Sequence, residues 1–271
     1  MKKGWLIYDE AGAKRNEWFI DECLRKAREQ DLQLSLYIYD GSLPVAPYPD
    51  FALVRTIAPR LSAHLAGAGT RIFNNFAVAA VANDKWLTYQ AVSGLGLPTM
   101  PTAYAAETCK TSPYGYPVVL KSRAGHGGAE VFKIENEKGY RAFFKTHSVE
   151  EYIVQKFCSQ PGEDMRVYVL GGEILAAVLR RSETDFRSNF SLGGTVRLVD
   201  PPAEICAMVE TLQTKFAFDF VGVDFIRDEG KWVLNEIEDV VGSRMLYKAA
   251  GLDVAALYLR HVAENIKAAR G

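Results

Sequence analysis

The chain has 271 residues, with 32 Lys and Arg against 33 Asp and Glu, a formal net charge of −1, and 48% hydrophobic residues. This composition is typical of a globular protein and excludes disorder over the whole length. A charge balance this close to zero, without a block of Lys and Arg, indicates neither nucleic acid nor a membrane surface as a partner. No apolar run approaches the roughly 18 residues that a bilayer span needs.

The first residues and the cysteines favour a cytoplasmic protein. The apolar run that begins at Trp5 breaks at Asp9, so it does not predict a secretory signal. The four cysteines are far apart and form no CxxC pair: Cys23, Cys109, Cys158 and Cys206. A disulfide framework or a zinc site is therefore not predicted, and we expect reduced thiols.

Strand and helix patterns alternate over the first third of the chain. Short apolar runs at 5–8, 34–39, 51–54 and 71–73 are separated by helical patterns, among them one near 61–68. This βαβ order predicts a parallel sheet. No GxGxxG motif follows the first strand, so a nicotinamide-dependent dehydrogenase is not supported.

A glycine-rich segment follows a strand that ends on a lysine. Residues 116–121 have the pattern of a buried strand, and a second strand pattern at 131–134 follows the loop. The glycines of the loop, Gly125, Gly127 and Gly128, let backbone N–H groups approach a phosphate, and Lys121 adds a point charge. The Walker A pattern is absent, and an ordinary turn between two strands is the alternative.

Two hairpin patterns lie beyond residue 152. The first joins residues 167–170 to residues 174–179 through the dipeptide Gly171-Gly172. The second joins residues 220–226 to residues 231–237, and a turn centred on Gly230 places Asp224 opposite Glu236.

Alternation along the second hairpin predicts three carboxylates on one face, since Glu238 shares the face of Asp224 and Glu236. The other face is predicted to carry Val221, Val223, Phe225, Val233 and Ile237. Opposed like charges destabilise a sheet, so the acidic face needs a cation. All-oxygen ligands favour Mg²⁺ or Mn²⁺ that also holds phosphate. A solvated acidic face is the alternative, and nothing nearby indicates a sugar site for a general acid–base pair.

A polar segment ahead of Gly193-Gly194 carries Arg187 and Asn189. A guanidinium is suited to bidentate recognition of phosphate or carboxylate, and a solvated loop is the alternative. Three arginines of the N-terminal region are candidates to face an anionic substrate, although a solvated surface position is the simpler interpretation of each: Arg15, Arg55 and Arg60. No Ser-His-Asp or Cys-His constellation stands out.

Taken in order, these elements resemble the ATP-grasp superfamily, specifically its RimK-like branch of glutamate-adding ligases. The resemblance spans nearly the whole chain and is strongest from Asn83 to Leu252. The motifs that carry it are 83–85 (NDK), 94–98 (GLGLP), 117–121 (PVVLK) with the glycine loop, 153–155 (IVQ), 162–166 (GEDMR), 180–189 (RRSETDFRSN), 222–225 (GVDF) and 235–238 (NEIE). Each motif is weak alone, but their order and spacing favour the functional interpretation of each segment.

The resemblance implies an α/β fold of three parts, with ATP between two α+β subdomains. The parts are an N-terminal Rossmann-like domain at residues 1–82, a central ATP-grasp subdomain at residues 83–151 and a C-terminal ATP-grasp subdomain at residues 152–271.

The resemblance also implies the roles of individual residues. Lys85 and Lys121 contact phosphates under the glycine loop, the segment 155–157 meets the adenine, and Asp164 meets the ribose. The implied ATP-binding set is Lys85, Lys121, Gly125, Gly127, Gly128, Gln155, Lys156, Phe157, Asp164, Arg187, Ser188 and Asn189. The implied catalytic residues are Lys121, Arg187 and Asn189, and the implied ligands of Mg²⁺ (or Mn²⁺) are Asp224, Glu236 and Glu238.

Two positions depart from the pattern of the family. Glu238 and Val241-Gly242 stand where the family usually has Asn and Pro-Gly, so an additional carboxylate faces the metal. Lys156 stands where the family typically has Glu, and because its side chain cannot accept hydrogen bonds, its contact with adenine is expected through the backbone.

The function implied is an ATP-dependent ligase that joins a carboxylate to an amine through an acyl phosphate and releases ADP and phosphate. The substrates are small molecules or peptides, and their identity is not readable from the sequence. Such ligases often assemble as homo-oligomers, but the sequence itself carries no signal for assembly. A catalytically silent nucleotide-binding module, acting as a sensor or in partner binding, is the alternative.

Overall fold

The computed structural model describes residues 1–108, 111–128, 130–182, 185–186 and 195–268. Within these ranges the strands form three sheets, each from a contiguous stretch of sequence. The strands are β1 (Lys2–Tyr8), β2 (Leu32–Ile38), β3 (Phe51–Val54), β4 (Arg71–Phe73), β5 (Thr102–Tyr104), β6 (Val118–Ser122), β7 (Val131–Ile134), β8 (Tyr152–Lys156), β9 (Gln160–Leu170), β10 (Glu173–Arg181), β11 (Thr195–Val199), β12 (Phe220–Asp228) and β13 (Lys231–Glu238). The α-helices are α1 (Glu10–Arg15), α2 (Glu17–Glu29), α3 (Pro59–Gly67), α4 (Phe76–Ala82), α5 (Lys85–Gly94), α6 (Glu137–Phe143), α7 (Ala203–Phe216), α8 (Arg244–Ala250) and α9 (Val254–Ala268).

The first sheet is parallel, as the alternating pattern predicts, with the strand order β2-β1-β3-β4. All residues of β3 are buried, because helices cover both faces of this sheet. On one face Leu6 and Phe51 pack with α2 and α9, and on the other Ile7 packs with Leu61 and Leu65 of α3.

The second sheet is antiparallel, with the strand order β5-β8-β6-β7. Val118 and Leu120 of β6 pack into a core with Tyr140 of α6. Because side chains alternate along a strand, Lys121 lies on the opposite face. The glycine-rich segment connects β6 to β7, as predicted.

The third sheet is antiparallel, with the strand order β11-β10-β9-β12-β13, and it contains both predicted hairpins. In the second hairpin Asp224 lies opposite Glu236, as predicted, but a bulge separates this pair from the turn. Phe225 faces Leu234, so Asn235 is the additional residue.

One prediction about the apolar face of this hairpin is wrong because of the bulge. Val233 was expected there, but Trp232 and Leu234 take that place and pack with Val223, Phe225 and helix α7. Alternation fails here because the additional residue shifts the first half of β13 by one position relative to β12.

The predicted divisions after residues 82 and 151 stay predictions. The strand β8 pairs with β5 and β6, so it belongs to the second sheet rather than the third. Val78 of α4 and Val92 of α5 pack into the core of the third sheet. No helix in the described ranges is long and apolar enough to span a bilayer, and the described cysteines are free thiols: Cys23, Cys158 and Cys206.

A close contact in the first sheet generates a stability prediction. A Cβ atom on Gly4 of β1 would overlap the ring of Phe51, which is fully buried and has no space to move. We expect Gly4→Ala to lower the free energy of unfolding by about 1–3 kcal/mol, since overpacking a core forces the backbone apart. Chemical denaturation measures this change.

Gly67→Ala is the matched control. Gly67 is the last residue of α3, and a Cβ atom there meets open space. Because alanine favours helix over glycine, we expect unchanged stability or a gain of up to about 1 kcal/mol. Equal stability of the two variants would contradict the packing described for Gly4.

Candidate active site

A cleft between the second and third sheets gathers the residues predicted from the sequence. Every predicted ATP or metal residue that the structure describes lines this first cavity: Lys85, Lys121, Gly125, Gly127, Gly128, Gln155, Lys156, Phe157, Asp164, Asp224, Glu236 and Glu238. Arg187, Ser188 and Asn189 lie outside the described residues.

Lys85 reaches the cleft because a capped helix begins there. The carboxylate of Asp84 accepts hydrogen bonds from the backbone N–H groups of Trp86 and Leu87, at 2.9 and 3.2 Å, which fixes the start of α5. The Nζ atom of Lys85 donates to Glu236 Oε1 at 2.8 Å and to the carbonyl oxygen of Gly125. This ammonium therefore joins the glycine loop to β13.

Lys121 makes a second bridge between the sheets. Its Nζ atom donates to Oδ1 of Asn235 at 2.7 Å. Asn235 is the additional residue of the bulge, so the bulge brings an amide into the first cavity. Two lysines from the central part of the chain thus converge on neighbouring residues of β13.

Arginines from β9 and β10 hold the acidic residues of the cleft. Arg166 lies opposite Asp224 across the sheet and donates to its two oxygens at 2.7 and 2.6 Å, and it also donates to Glu238 at 2.5 Å. Arg180 donates to both oxygens of Asp164 at 2.6 Å and to Asp224 at 2.9 Å. In this structure the positive charges beside Asp224, Glu236 and Glu238 are therefore those of arginine and lysine side chains.

Burial and charge shift the pKa values of these acids in opposite directions. Burial alone would raise the pKa of Asp224, but Arg166 and Arg180 outweigh it and hold the pKa at about 2. Burial raises the pKa of Glu238 to about 7; Arg166 opposes this shift, and Asp224 and Glu236 add to it. Asp224 and Glu238 are neighbours, but they therefore lose their protons in different pH ranges.

The donor set suits a hard cation, although each carboxylate has a side-chain partner. In the described ranges no group of three or more His, Cys, Asp or Glu side chains is arranged to hold a metal ion. The side chains of Glu236 and Glu238 are 20% and 25% exposed, against 6% for Asp224. Glu236 and Glu238 are therefore the carboxylates open to the cleft, and their oxygens match the preference of Mg²⁺.

The segment after β8 forms another wall of the first cavity. Gln155 is buried and donates from Nε2 to Thr102 Oγ1 at 3.0 Å. Lys156 points toward the turn between β12 and β13, where its Nζ lies 3.3 Å from Glu229 Oε1. That ion pair turns the ammonium toward the third sheet, so the structure gives the Lys156 side chain a partner other than a nucleotide.

Sequence reasoning missed three residues that organise this cleft: Arg166, Arg180 and Asn235. Arg166 and Arg180 lie in motifs that carry the resemblance to the RimK-like branch, but the sequence did not predict a function for either side chain. Their position on strands beside an acidic hairpin was the available signal, since buried carboxylates require a counter-charge. Asn235 had no such signal, because its orientation depends on the bulge.

A second cavity lies beside the first and shares Gly127 and Glu238 with it. Its other walls come from the end of β1 with helix α1, from the loop after β3, and from Asn83, His126, Asp239, Val240 and Gly242. Among the three arginines considered for an anionic substrate, Arg60 is exposed, as the solvated interpretation predicts, and Arg15 is exposed but lines the second cavity. That interpretation is wrong for Arg55, which is 6% exposed and lines the second cavity.

Comparisons with known proteins assign this arrangement to a family. The family model of the RimK-like ATP-grasp domain matches residues 82–262. The chain belongs to the RimK-like ATP-grasp family. It is 30% identical to mouse N-acetylaspartylglutamate synthase A over 93% of the chain and 76% of that protein. It is 25% identical to a probable alpha-L-glutamate ligase of Histophilus somni, over 91% of the chain and 88% of that protein.

The fold of this RimK-like protein also matches solved structures. The crystal structure of a RimK domain ATP-grasp protein from Sphaerobacter thermophilus superimposes with a TM-score of 0.73 at 20% identity, over 96% of this chain and 99% of that one. The expected fold is thereby confirmed, and the family is one of ATP-dependent, amide-forming ligases.

The surroundings of Lys121 generate a prediction about pH. Burial lowers the pKa of Lys121 to about 8; Lys85 adds to the shift, whereas Glu236, Cys158 and Asp224 oppose it. Because the ammonium loses its proton above that pH, we expect the affinity for AMP-PNP with Mg²⁺ to fall by about tenfold between about pH 7 and about pH 9.5. Equilibrium titrations across this range measure the change.

The control is Lys121→Arg, since arginine keeps its charge over the whole range. We expect the affinity of this variant to stay flatter as pH rises. A wild-type affinity that does not change with pH, or a variant that weakens in parallel, would contradict the role given to the Lys121 ammonium.

Arg166 generates a second prediction. In Arg166→Gln the buried Asp224 keeps only Arg180 as its partner among the described residues, and Glu238 loses its ion pair. We expect the free energy of unfolding at neutral pH to fall by about 3 kcal/mol, since breaking a buried ion pair leaves an uncompensated charge. Denaturant titration monitored by circular dichroism measures it.

Arg181→Gln is the control, because the Arg181 side chain is 64% exposed in its ion pair with Glu163. Exposed pairs contribute about 0–1 kcal/mol, so this variant should retain nearly the stability of the wild type. If Arg166→Gln were equally stable, the carboxylates would not depend on that guanidinium.

Proposed function

We propose that this protein joins a small carboxylic acid to the amino group of an amino acid, with ATP as the energy source. The carboxylate attacks the γ-phosphorus of ATP, which gives an acyl phosphate and ADP. The amine then attacks the acyl carbon and displaces phosphate, so that an amide forms. Family membership supports this reaction class, and the geometry of the two cavities supports the arrangement of its substrates.

The meeting of the two cavities at Gly127 and Glu238 carries the proposal. The first cavity contains two lysines and a glycine loop, which are suited to a nucleotide triphosphate. The second cavity opens beside it with room for another molecule. A carboxylate in the second cavity would therefore lie next to the terminal phosphate of a nucleotide in the first, as phosphoryl transfer requires.

Positioning and charge neutralisation provide the catalysis. Lys85 and Lys121 would neutralise the phosphates, and the loop 125–128 would cover them. Glu236 and Glu238 would hold Mg²⁺ (or Mn²⁺), which when bound neutralises charge on the phosphate oxygens. The role of Asp224 as a third ligand stays a prediction, since both of its oxygens accept hydrogen bonds from arginines in this structure. The roles of Arg187 and Asn189 at the transferring phosphoryl group stay predictions. No catalytic Ser or Cys is needed, since phosphoryl transfer depends mainly on electrostatic stabilisation.

The names of the relatives suggest the first substrates to test. The mouse relative is a synthase of N-acetylaspartylglutamate and the bacterial relative is named as a probable glutamate ligase. We propose L-glutamate as the first amine to test and N-acetyl-L-aspartate as the first acid, followed by a panel of other acids and amino acids.

The test is the formation of ADP by purified protein with ATP, Mg²⁺ and this panel. We expect an active pair for the wild type, and for Lys121→Ala and Glu236→Gln a loss of about 100-fold or more, since each removes a charged contact on the reacting groups. Lys215→Ala is the control, because Lys215 is exposed near the end of α7 and should leave the rate unchanged.

Two outcomes would contradict the proposal. Tight binding of AMP-PNP without ADP formation in the presence of any acid and amine would favour the silent nucleotide-binding module. Full turnover of Lys121→Ala and Glu236→Gln would show that the reaction takes place elsewhere.

A further inference from the structure

The second cavity lies at the carboxyl edge of the first sheet. Tyr8 ends β1, Val54 ends β3, and Asp9, Arg55 and Thr56 follow these strands. In the order β2-β1-β3-β4 the chain runs from β1 to β2 on one side, and then crosses from β2 to β3 on the other side of β1. Ligands of parallel α/β sheets bind at such switch points, beside the carboxyl ends of the strands.

Arg55 presents a buried guanidinium to this cavity. Its side chain lies over the ring of Phe220, with 5.6 Å from the guanidinium carbon to the ring centre, and Nη2 donates to the carbonyl oxygen of Val241. The Nε atom is buried and has no hydrogen-bond partner. Within the described residues no carboxylate lies in salt-bridge distance of this guanidinium.

The acids that line the same cavity are engaged by other groups. Asp9 accepts from the Gly12 backbone N–H at 2.7 Å and from Thr56 Oγ1 at 2.7 Å. Asp239 accepts from Asn74 at 2.8 Å and from Asn83 at 3.1 Å. Glu238 is held by Arg166. None of these acids lies within salt-bridge distance of Arg55, and its charge is stabilised by the hydroxyl group of Tyr8 and, at longer range, by Tyr258 and Asp239.

Burying an arginine without a carboxylate is costly, and an incoming anion would remove the cost. We propose that Arg55 determines specificity by binding a carboxylate group of the substrate that occupies the second cavity. This inference rests on the proposed function and adds a recognition residue to it: the carboxylate on Arg55 is one that does not react, so the molecule in the second cavity is an amino acid or a dicarboxylic acid.

The size and the second arginine of the cavity fit such a substrate. Its volume of about 430 Å³ lies within the range of small-molecule sites. Arg15, which is exposed, lines the same cavity and adds a positive charge. The carboxylate that binds Arg55 belongs either to the acid substrate or to the amine substrate. Analogues of each substrate in which one carboxylate is replaced by an amide distinguish these two cases.

The test is calorimetric titration of L-glutamate and N-acetyl-L-aspartate into protein with AMP-PNP and Mg²⁺. Each acid is compared with analogues in which one carboxylate is an amide: L-glutamine, L-isoglutamine and N-acetyl-L-asparagine. We expect one acid to bind the wild type, and its affinity to fall about 100-fold both in Arg55→Gln and, for the wild type, when one of its carboxylates is replaced by an amide, because a buried charge pair is lost in each case. The variant and that amide together should cost no more than either alone.

Arg71→Gln is the matched control. Arg71 also stacks on a phenylalanine, at 4.1 Å from the centre of Phe73, and it pairs with Asp219 at 2.8 Å, but it lines neither cavity. We expect it to bind the acid as the wild type does. If Arg55→Gln does not fold, Arg55→Lys keeps the charge without the planar fork, and we expect about tenfold weaker binding.

The inference is overturned if neither acid binds the wild type, if Arg55→Gln or Arg55→Lys binds like the wild type, or if Arg71→Gln loses as much affinity. These outcomes are distinguishable from failure of the proposed function, since the titration requires no turnover. An acid that binds through Arg55 without any ADP formation would refute the ligase reaction and leave the Arg55 inference intact.

Discussion

The guanidinium of Arg166, which lies between Asp224 and Glu238, is the interaction on which the cleft depends. It places a positive charge where strand pairing has brought two carboxylates onto one face, with Glu236 beside them. Without that charge the acids would repel one another and weaken the pairing of β12 with β13. Arg180 extends the arrangement to Asp164, so that one buried network orders the floor of the nucleotide cavity.

Attraction between opposite charges also connects the two sides of the cleft. Lysines from α5 and β6 face the acidic floor, and their contacts to Glu236 and Asn235 join the central part of the chain to the third sheet. The phosphates of a nucleotide that enters between these groups would replace Glu236 and Asn235 as the partners of the two lysines. The near-zero net charge of the chain conceals this local separation of charge.

The sequence predicted the elements whose signals are local. The hairpin turn and the alternation of its strands were sufficient to place Asp224 opposite Glu236, and the strand pattern was sufficient to place Lys121 beside the glycine loop. The prediction for Val233 failed because the bulge at Asn235 shifts the register between that pair and the turn. Trp232, Val233 and Leu234 are all apolar, so alternation does not show which of them face the core.

Partners from distant parts of the chain could not be predicted. The contact of Arg166 with Glu238 depends on the order of the strands in the third sheet, which places β9 beside the acidic hairpin. The burial of Arg55 over Phe220 depends on how the first and third sheets pack against each other. An arginine after a short strand is usually solvated, and only the arrangement of α9 and the third sheet around the first sheet encloses this one.

The central claim is that a substrate carboxylate attacks ATP and that its oxygen leaves with phosphate. Turnover of an acid whose carboxylate oxygens carry a heavy-isotope label tests it directly, with the released phosphate analysed by mass spectrometry. The account predicts that each phosphate contains one labelled oxygen from the acid, because the bond between that oxygen and the acyl carbon breaks when the amide forms. Phosphate without the label, formed by attack of water on ATP, would contradict it.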